Sequence, residues 1–116
     1  LKTARQEKIA EEIRREVSTM LYFDLQDPRL LGVSVTGVKM TPDLRVARIY
    51  FNIPGKPEKS KEVMSGFKSS SGMMKRLLSQ RISLKFMPNF EFFYDESLEL
   101  QDKIDLLFEE VESKKK

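Results

Sequence analysis

GFKSSSGMMKRLLSQRISLKFMPNFEFFYD, residues 66 to 95, decides how this chain folds. Ser69, Ser70, Ser71 and Gly72 sit between two apolar patterns of helical spacing. Val63, Met64 and Phe67 come before them. Met73, Leu77 and Leu84 follow along one stripe, with Met74 and Leu78 beside it. At about 100° per residue these last five cover one helix face, and the Ser/Gly run reads as a break between that helix and the one before it. Lys75 and Arg76 lie off the apolar face, and Pro88 closes the second helix. Phe90, Phe92 and Tyr94 then alternate with Glu91, Phe93 and Asp95, the period of a strand. Phe90 and Phe92 suit the face that helices cover, and Phe93 suits the open face, where a ring could serve as a base-stacking platform.

Upstream, Ser60 is a candidate N-cap, and Pro54 to Pro57 is a loop. Two strands precede it. In the first, Val33 and Val35 share one phase, and Val38 and Met40 share the other. A bulge near Gly37 would bring all four to one face. Thr41-Pro42-Asp43 is a turn. Ala47, Ile49, Phe51 and Ile53 form the core face of the second strand, with Arg48 and Tyr50 nearer solvent, which gives an antiparallel hairpin. Asp27-Pro28 ends what comes before. Residues 3 to 24 read as a helix with Ile9, Ala10, Ile13, Val17, Met20 and Leu21 inward. Its other face alternates in sign and pairs Glu11 with Arg15. That face is either solvated and laced with ion pairs or able to touch phosphates. Downstream, Leu100, Ile104, Leu107, Phe108 and Val111 lie among many acids, an amphipathic helix or a tail that becomes one on docking. Lys114 to Lys116 read as a frayed end.

The 116 residues hold no Cys and no His. Disulfides, thiolate chemistry, Cys-based zinc sites and Ser-His-Asp triads are therefore excluded. No apolar run reaches the roughly 18 residues of a membrane span. We expect no catalytic residue, no metal and no cofactor. Charge is segregated. Residues 1–55 carry nine Lys/Arg against seven Asp/Glu, residues 56–88 eight against two, and residues 89–112 one against nine. A basic middle beside an acidic tail suggests a polyanion partner.

The order helix, strand, strand, helix, Ser/Gly kink, helix, strand matches the type II KH arrangement, but without the usual GxxG loop between the central helices. Ser70-Ser71-Gly72 stands there instead. With IAEEIRREV, DPRLLGVSVTGVKMTPDLRVARIYFNI, SGMMKRLL and LKFMPNFEFFYDESLE, the chain resembles the ribosome-binding factor A family over nearly its whole length. Asp27-Pro28-Arg29-Leu30 and Phe92-Phe93-Tyr94-Asp95 are the most specific pieces. The resemblance implies an α+β fold: one type II KH-like domain over residues 1–97, with a three-stranded sheet covered by helices on one face, then an acidic helix or tail over 98–116. It implies a non-catalytic, monomeric, cytoplasmic assembly factor (or one of an organelle matrix) that binds the immature 30S subunit and 16S rRNA. It also implies support of rRNA maturation and growth in the cold, and release helped by a GTPase. Lys8, Arg15, Arg29, Arg45, Lys75, Arg76, Arg81 and Lys85 match the family's basic positions. Ser70 replaces the usual Ala. Lys8 and Lys85 replace Arg, which keeps charge but loses bidentate contact.

The residues themselves leave two readings of the Ser/Gly run. It is either a cap pair between helices or an anion site, with Gly72 freeing the backbone and amides of residues 72–75 facing a phosphate beside Lys68, Lys75 and Arg76. Arg81 and Lys85 fall within the apolar arc of an ideal helix. They must lie near a fraying end, snorkel to solvent or meet a carboxylate. A KH-like protein–protein adaptor with an acidic partner is the competing function.

Overall fold

The computed structural model describes residues 3–114. Helix α1 (Ala4–Phe23) is followed by a 3-10 turn at Pro28–Leu30, strands β1 (Ser34–Met40) and β2 (Val46–Asn52), and a second 3-10 turn at Pro57–Lys59. Helix α2 (Ser60–Arg81), strand β3 (Asn89–Tyr94) and helix α3 (Ser97–Lys114) complete the chain. The sheet order is β1-β2-β3, with β1 antiparallel and β3 parallel to β2. The fold is α+β, with both long helices on one sheet face.

The register of β1 on β2 slips between Val35 and Gly37, which leaves Thr36 as the extra residue. This bulge does what the valine phases require. Val35 and Met40 are buried, and Val33 and Val38 pack against the same core. Ala47, Ile49, Phe51 and Ile53 are buried from β2. The Phe67 ring lies between sheet and helix, stacked on Phe92 at 4.5 Å and tilted against Phe51 at 5.3 Å. Ile13, Val17 and Met20 fill the core from α1.

The expected break in the central helix is absent. Helix α2 runs for 22 residues through Ser69–Gly72. Gly72 has no positive φ, and a Cβ there would meet nothing within 4 Å. The buried positions explain the continuity. Val63, Phe67, Met74 and Leu78 are spaced by four, seven and four, so one stripe spans the Ser/Gly run, with half-buried Ser70 and Ser71 filling the middle turn. Met73 faces outward, 42 % exposed, and Leu77 is only partly buried. The inward stripe thus passes through Met74 and Leu78, not Met73 and Leu77. The helix also stops early, at Arg81. Ile82 is extended (φ −131°, ψ 152°), and Leu84 and Lys85 lie in the connection to β3. Leaving the helix at Ile82 lets Ile82, Leu84 and Met87 turn onto the core.

The glycine that matters sterically is Gly66. It is buried against the turn at Pro28–Leu30, where a Cβ would stand 3.0 Å from Leu30 Cδ2 and 3.3 Å from Arg29 Cβ. Helix α3 is amphipathic, with Leu100, Leu107 and Phe108 exposed. Lys115, Lys116 and the side chain of Lys114, expected to fray, lie outside the described residues.

Candidate nucleic-acid interface

Three segments distant in sequence converge at one end of the domain. The first is the opening turn of α1. The Gln6 amide donates to Thr3 Oγ1 (3.1 Å), and the Thr3 amide donates to Gln6 Oε1 (2.9 Å), a reciprocal cap. Buried Gln6 also donates through Nε2 to the Met40 carbonyl (3.2 Å), which ties this turn to the end of β1. Arg5 and Lys8 are held beside it.

The second segment is the β1–β2 turn. Thr41 Oγ1 (2.7 Å) and the Arg45 amide (3.1 Å) both donate to Asp43 Oδ1. The Thr41 hydroxyl, then the Arg45 amide, hold the Asp43 carboxyl below its usual range. Leu44 takes φ 61°, a left-handed conformation that costs a non-glycine residue roughly 1–3 kcal/mol. The third segment is the α2–β3 connection. Pro88 and Leu84 turn inward while Lys85 and Phe86 stay outside.

Together these segments enclose a cleft of about 410 Å3. Ile9, Leu44, Leu84 and Phe86 make its apolar part, and Arg5, Lys8 and Lys85 stand around it, with Glu12 and Asp43 as the two acids. Phe86 is 60 % exposed. The Arg45 guanidinium and the Lys85 ammonium lie 5.5 and 5.6 Å from its ring centroid, within cation–π range. The Asn89 amide donates to the Arg45 carbonyl (2.8 Å), and Lys75 Nζ donates to Asn89 Oδ1 (3.3 Å) while lying 5.8 Å from the Phe90 ring. The basic row therefore continues from the cleft along β3. Lys68, two helical turns before Lys75, lines a depression with Ser71, Phe90 and Phe93.

Of the basic residues expected at a nucleic-acid site, the structure gathers Lys8, Arg45, Lys75 and Lys85, with Lys68 farther along. The other arginines are differently placed. Arg81, the last residue of α2, joins Glu16 of α1 (3.8 Å) and Asp24 just beyond it (2.9 Å), so a helix end and carboxylate partners together let it lie on the inner arc. The Asp24 carboxylate beside it raises its pKa further. Arg29 forks onto Asp27 (3.0 and 2.6 Å), which lowers the Asp27 pKa. Arg15 lies 3.5 Å from Glu11, and Arg76 is exposed. Neither reading of the Ser/Gly run holds: a continuous helix has no N-terminus at residues 72–75, so it forms neither a cap pair nor an anion site there.

Both sequence motifs make structural contacts. In Asp27–Leu30, the Arg29 amide donates to Asp27 Oδ1 (2.9 Å) and Leu30 enters the core. In Phe92–Asp95, Thr36 Oγ1 (2.6 Å) and the Ser97 amide (2.9 Å) donate to the Asp95 carboxylate. Buried Asn52 donates to the Asp95 carbonyl (3.1 Å) and to the Tyr94 hydroxyl (3.3 Å). Phe93, 41 % exposed, stacks on Tyr50 at 5.5 Å on the open sheet face. Phe86 escaped the sequence reading because it belongs to neither periodic element. Its only signal is an unpatterned aromatic beside Lys85.

The sequence matches the family described as Ribosome-binding factor A over residues 5–108. A protein named ribosome-binding factor A from Desulfatibacillum aliphaticivorans is 39 % identical over 107 residues, covering 92 % of this chain and 87 % of its own length. The crystal structure of ribosome-binding factor A from Thermus thermophilus superposes with TM-score 0.68 at 19 % identity, covering 77 % of this chain and 94 % of that one. A homology model of the Thermus thermophilus factor, fitted into a cryo-EM map of its 30S complex, superposes with TM-score 0.61 at 20 % identity, covering 75 % and 91 %. Identities this low speak to the fold alone. The family match, which runs from Arg5 to Phe108, together with the close sequence relative, shows that this chain belongs to the ribosome-binding factor A family.

Proposed function

We propose that this protein is a non-catalytic assembly factor that binds the immature small ribosomal subunit through 16S rRNA and supports maturation of that RNA. The observation that carries this reading is the row Arg5, Lys8, Lys85, Arg45 and Lys75. Its members come from α1, the hairpin turn, the α2–β3 connection and α2; Arg5 and Lys8 line the cleft, Arg45 and Lys85 lie at the Phe86 ring and Lys75 at Asn89 and Phe90, where Arg29 and Arg81 contact carboxylates. Cations left available to solvent can displace counterions from phosphates. Family membership supports the same reading, as does the fitting of the Thermus thermophilus factor into a 30S complex. The protein works as a cytoplasmic monomer, and a GTPase helps release it from the subunit. No side chain is assigned a chemical step, in keeping with a sequence without His or Cys.

Sedimentation of the purified protein with free small subunits at graded salt tests this. Co-migration with subunits, weakening linearly on a log–log salt plot, is expected. A protein that stays at the top of the gradient at every salt concentration would instead fit an adaptor for an acidic protein.

A further inference from the structure

The cleft is more than a charged surface. A site for phosphates alone needs cations, and here the cations surround an apolar floor of Ile9, Leu44 and Leu84, with an exposed phenyl ring at Phe86. A lone exposed apolar residue is ordinary, but Phe86 shares one concavity with Ile9, Leu44 and Leu84, which pack partly buried against the core. Its volume, about 410 Å3, is within the range of small-ligand sites. Two carboxylates, Glu12 and Asp43, line it as well. They disfavour phosphates packed throughout the cleft, yet can accept hydrogen bonds from a base edge. Asp43 Oδ1 is already occupied by Thr41 and Arg45, which leaves Glu12 the freer acceptor.

We infer that the cleft receives one unpaired nucleotide of the bound RNA. Its base lies against Phe86, and its flanking phosphates lie on Arg5, Lys8 and Lys85. Single-stranded bases are commonly held on aromatic rings in this way. Arg45 and Lys85 lie 5.5 and 5.6 Å from the Phe86 centroid and still leave the ring 60 % exposed. The inference deepens the proposed function and rests on it for the identity of the RNA, but the cleft can be tested by itself.

The test uses the full chain in two measurements. In the first, amide NMR signals are followed during titration with adenosine 5′-monophosphate and, separately, ribose 5-phosphate. The nucleotide should shift Lys8, Leu44, Lys85 and Phe86, and the sugar phosphate should shift them far less. In the second, Phe86→Leu is compared with wild type for small-subunit binding across salt. Loss of one stacked base should lower affinity about 5- to 150-fold and leave the salt slope unchanged. Phe86 is exposed, so the variant should keep its fold, which its NMR spectrum reports. Equal shifts with both compounds, or wild-type affinity in Phe86→Leu, would overturn the nucleotide site while leaving subunit binding intact. If wild type fails to bind subunits at all, the proposed function falls, and the nucleotide titration alone then decides the cleft.

Discussion

Arg29 and Arg81 on one hand, and Lys8 and Lys85 on the other, are equally basic in sequence but do different work. The first pair closes the structure. Arg29 folds back on Asp27 above Gly66, and Arg81 joins α2 to Glu16 of α1 and to Asp24 at its C-cap. The second pair rims a cleft whose floor is apolar. A cation already paired with a carboxylate gains little from a phosphate, because the carboxylate must first be given up. Family-matched basic positions therefore divide into residues that hold the fold and residues that are open to a ligand. Substitutions on the two sides should separate stability from binding.

The largest effect should come from Gly66→Val. The new side chain must displace Leu30 and Arg29, and overpacking of this kind costs roughly 1–3 kcal/mol. Urea denaturation should show that loss. Next is the double change Lys8→Ala with Lys85→Ala. Each lost phosphate contact removes about 0.7–0.9 from the slope of log affinity against log salt, so the slope should flatten by about 1.5 at unchanged Tm. Arg81→Met should behave in the opposite way, with a lower Tm, as Asp24 Oδ2 is buried and loses its partner, and an unchanged salt slope. Were Arg81→Met to flatten the slope as much as the lysine pair, the division between the two groups would fail.

Smaller effects concern the helix itself and the acid side of stability. Gly72→Ala should raise stability by up to about 1 kcal/mol, since the site is open, helical and free of positive φ. A loss there would show that the chain needs glycine for some state other than this helix. The smallest change should be at Asp95. Hydrogen bonds from Thr36, then Ser97, hold its carboxyl below the usual range. A lowered folded-state pKa stabilises above the unfolded value and is lost as pH falls through the folded one. Asp95→Asn should therefore lower Tm slightly near neutrality, where the ionised carboxylate stabilises, and flatten the decline in Tm below pH about 4.

Much of this was legible in the sequence. The phase change between Val35 and Val38 required a bulge, and Thr36 supplies it. Period-two alternation placed Ala47, Ile49, Phe51, Phe90 and Phe92 toward the core. Ser and Gly are weak helix formers and point to a break, but in α2 the apolar period outweighs their propensity. Val63, Phe67, Met74 and Leu78 already made one unbroken stripe. The arc argument limited Arg81 to three fates but could not choose, since Asp24 lies 57 positions away. The cleft was illegible for the same reason. Residues 5–12, 43–44 and 83–88 meet only when the sheet places them together, and Phe86 has no periodic context. Gly66 went unnoticed because close approach depends on the neighbour, not on the residue's own surroundings in sequence.

The parallel pairing of β3 with β2 has a consequence for how the chain reaches this state. Strand β1 can find β2 across a short turn, with Met40 opposite Ala47. Strand β3 must wait for a crossover, since Val46 pairs with Asn89 only after the whole of α2 has been laid across the sheet. Closing that long loop costs entropy before any ladder bond repays it. We expect α1 and the hairpin to form early and β3 to dock late. Pulse-labelled hydrogen exchange would then find the amides of β1 protected before those of Phe90 and Phe92. On a ribosome the same order would apply during synthesis. The cleft, whose third wall lies between α2 and β3, would be the last part of the molecule to become functional.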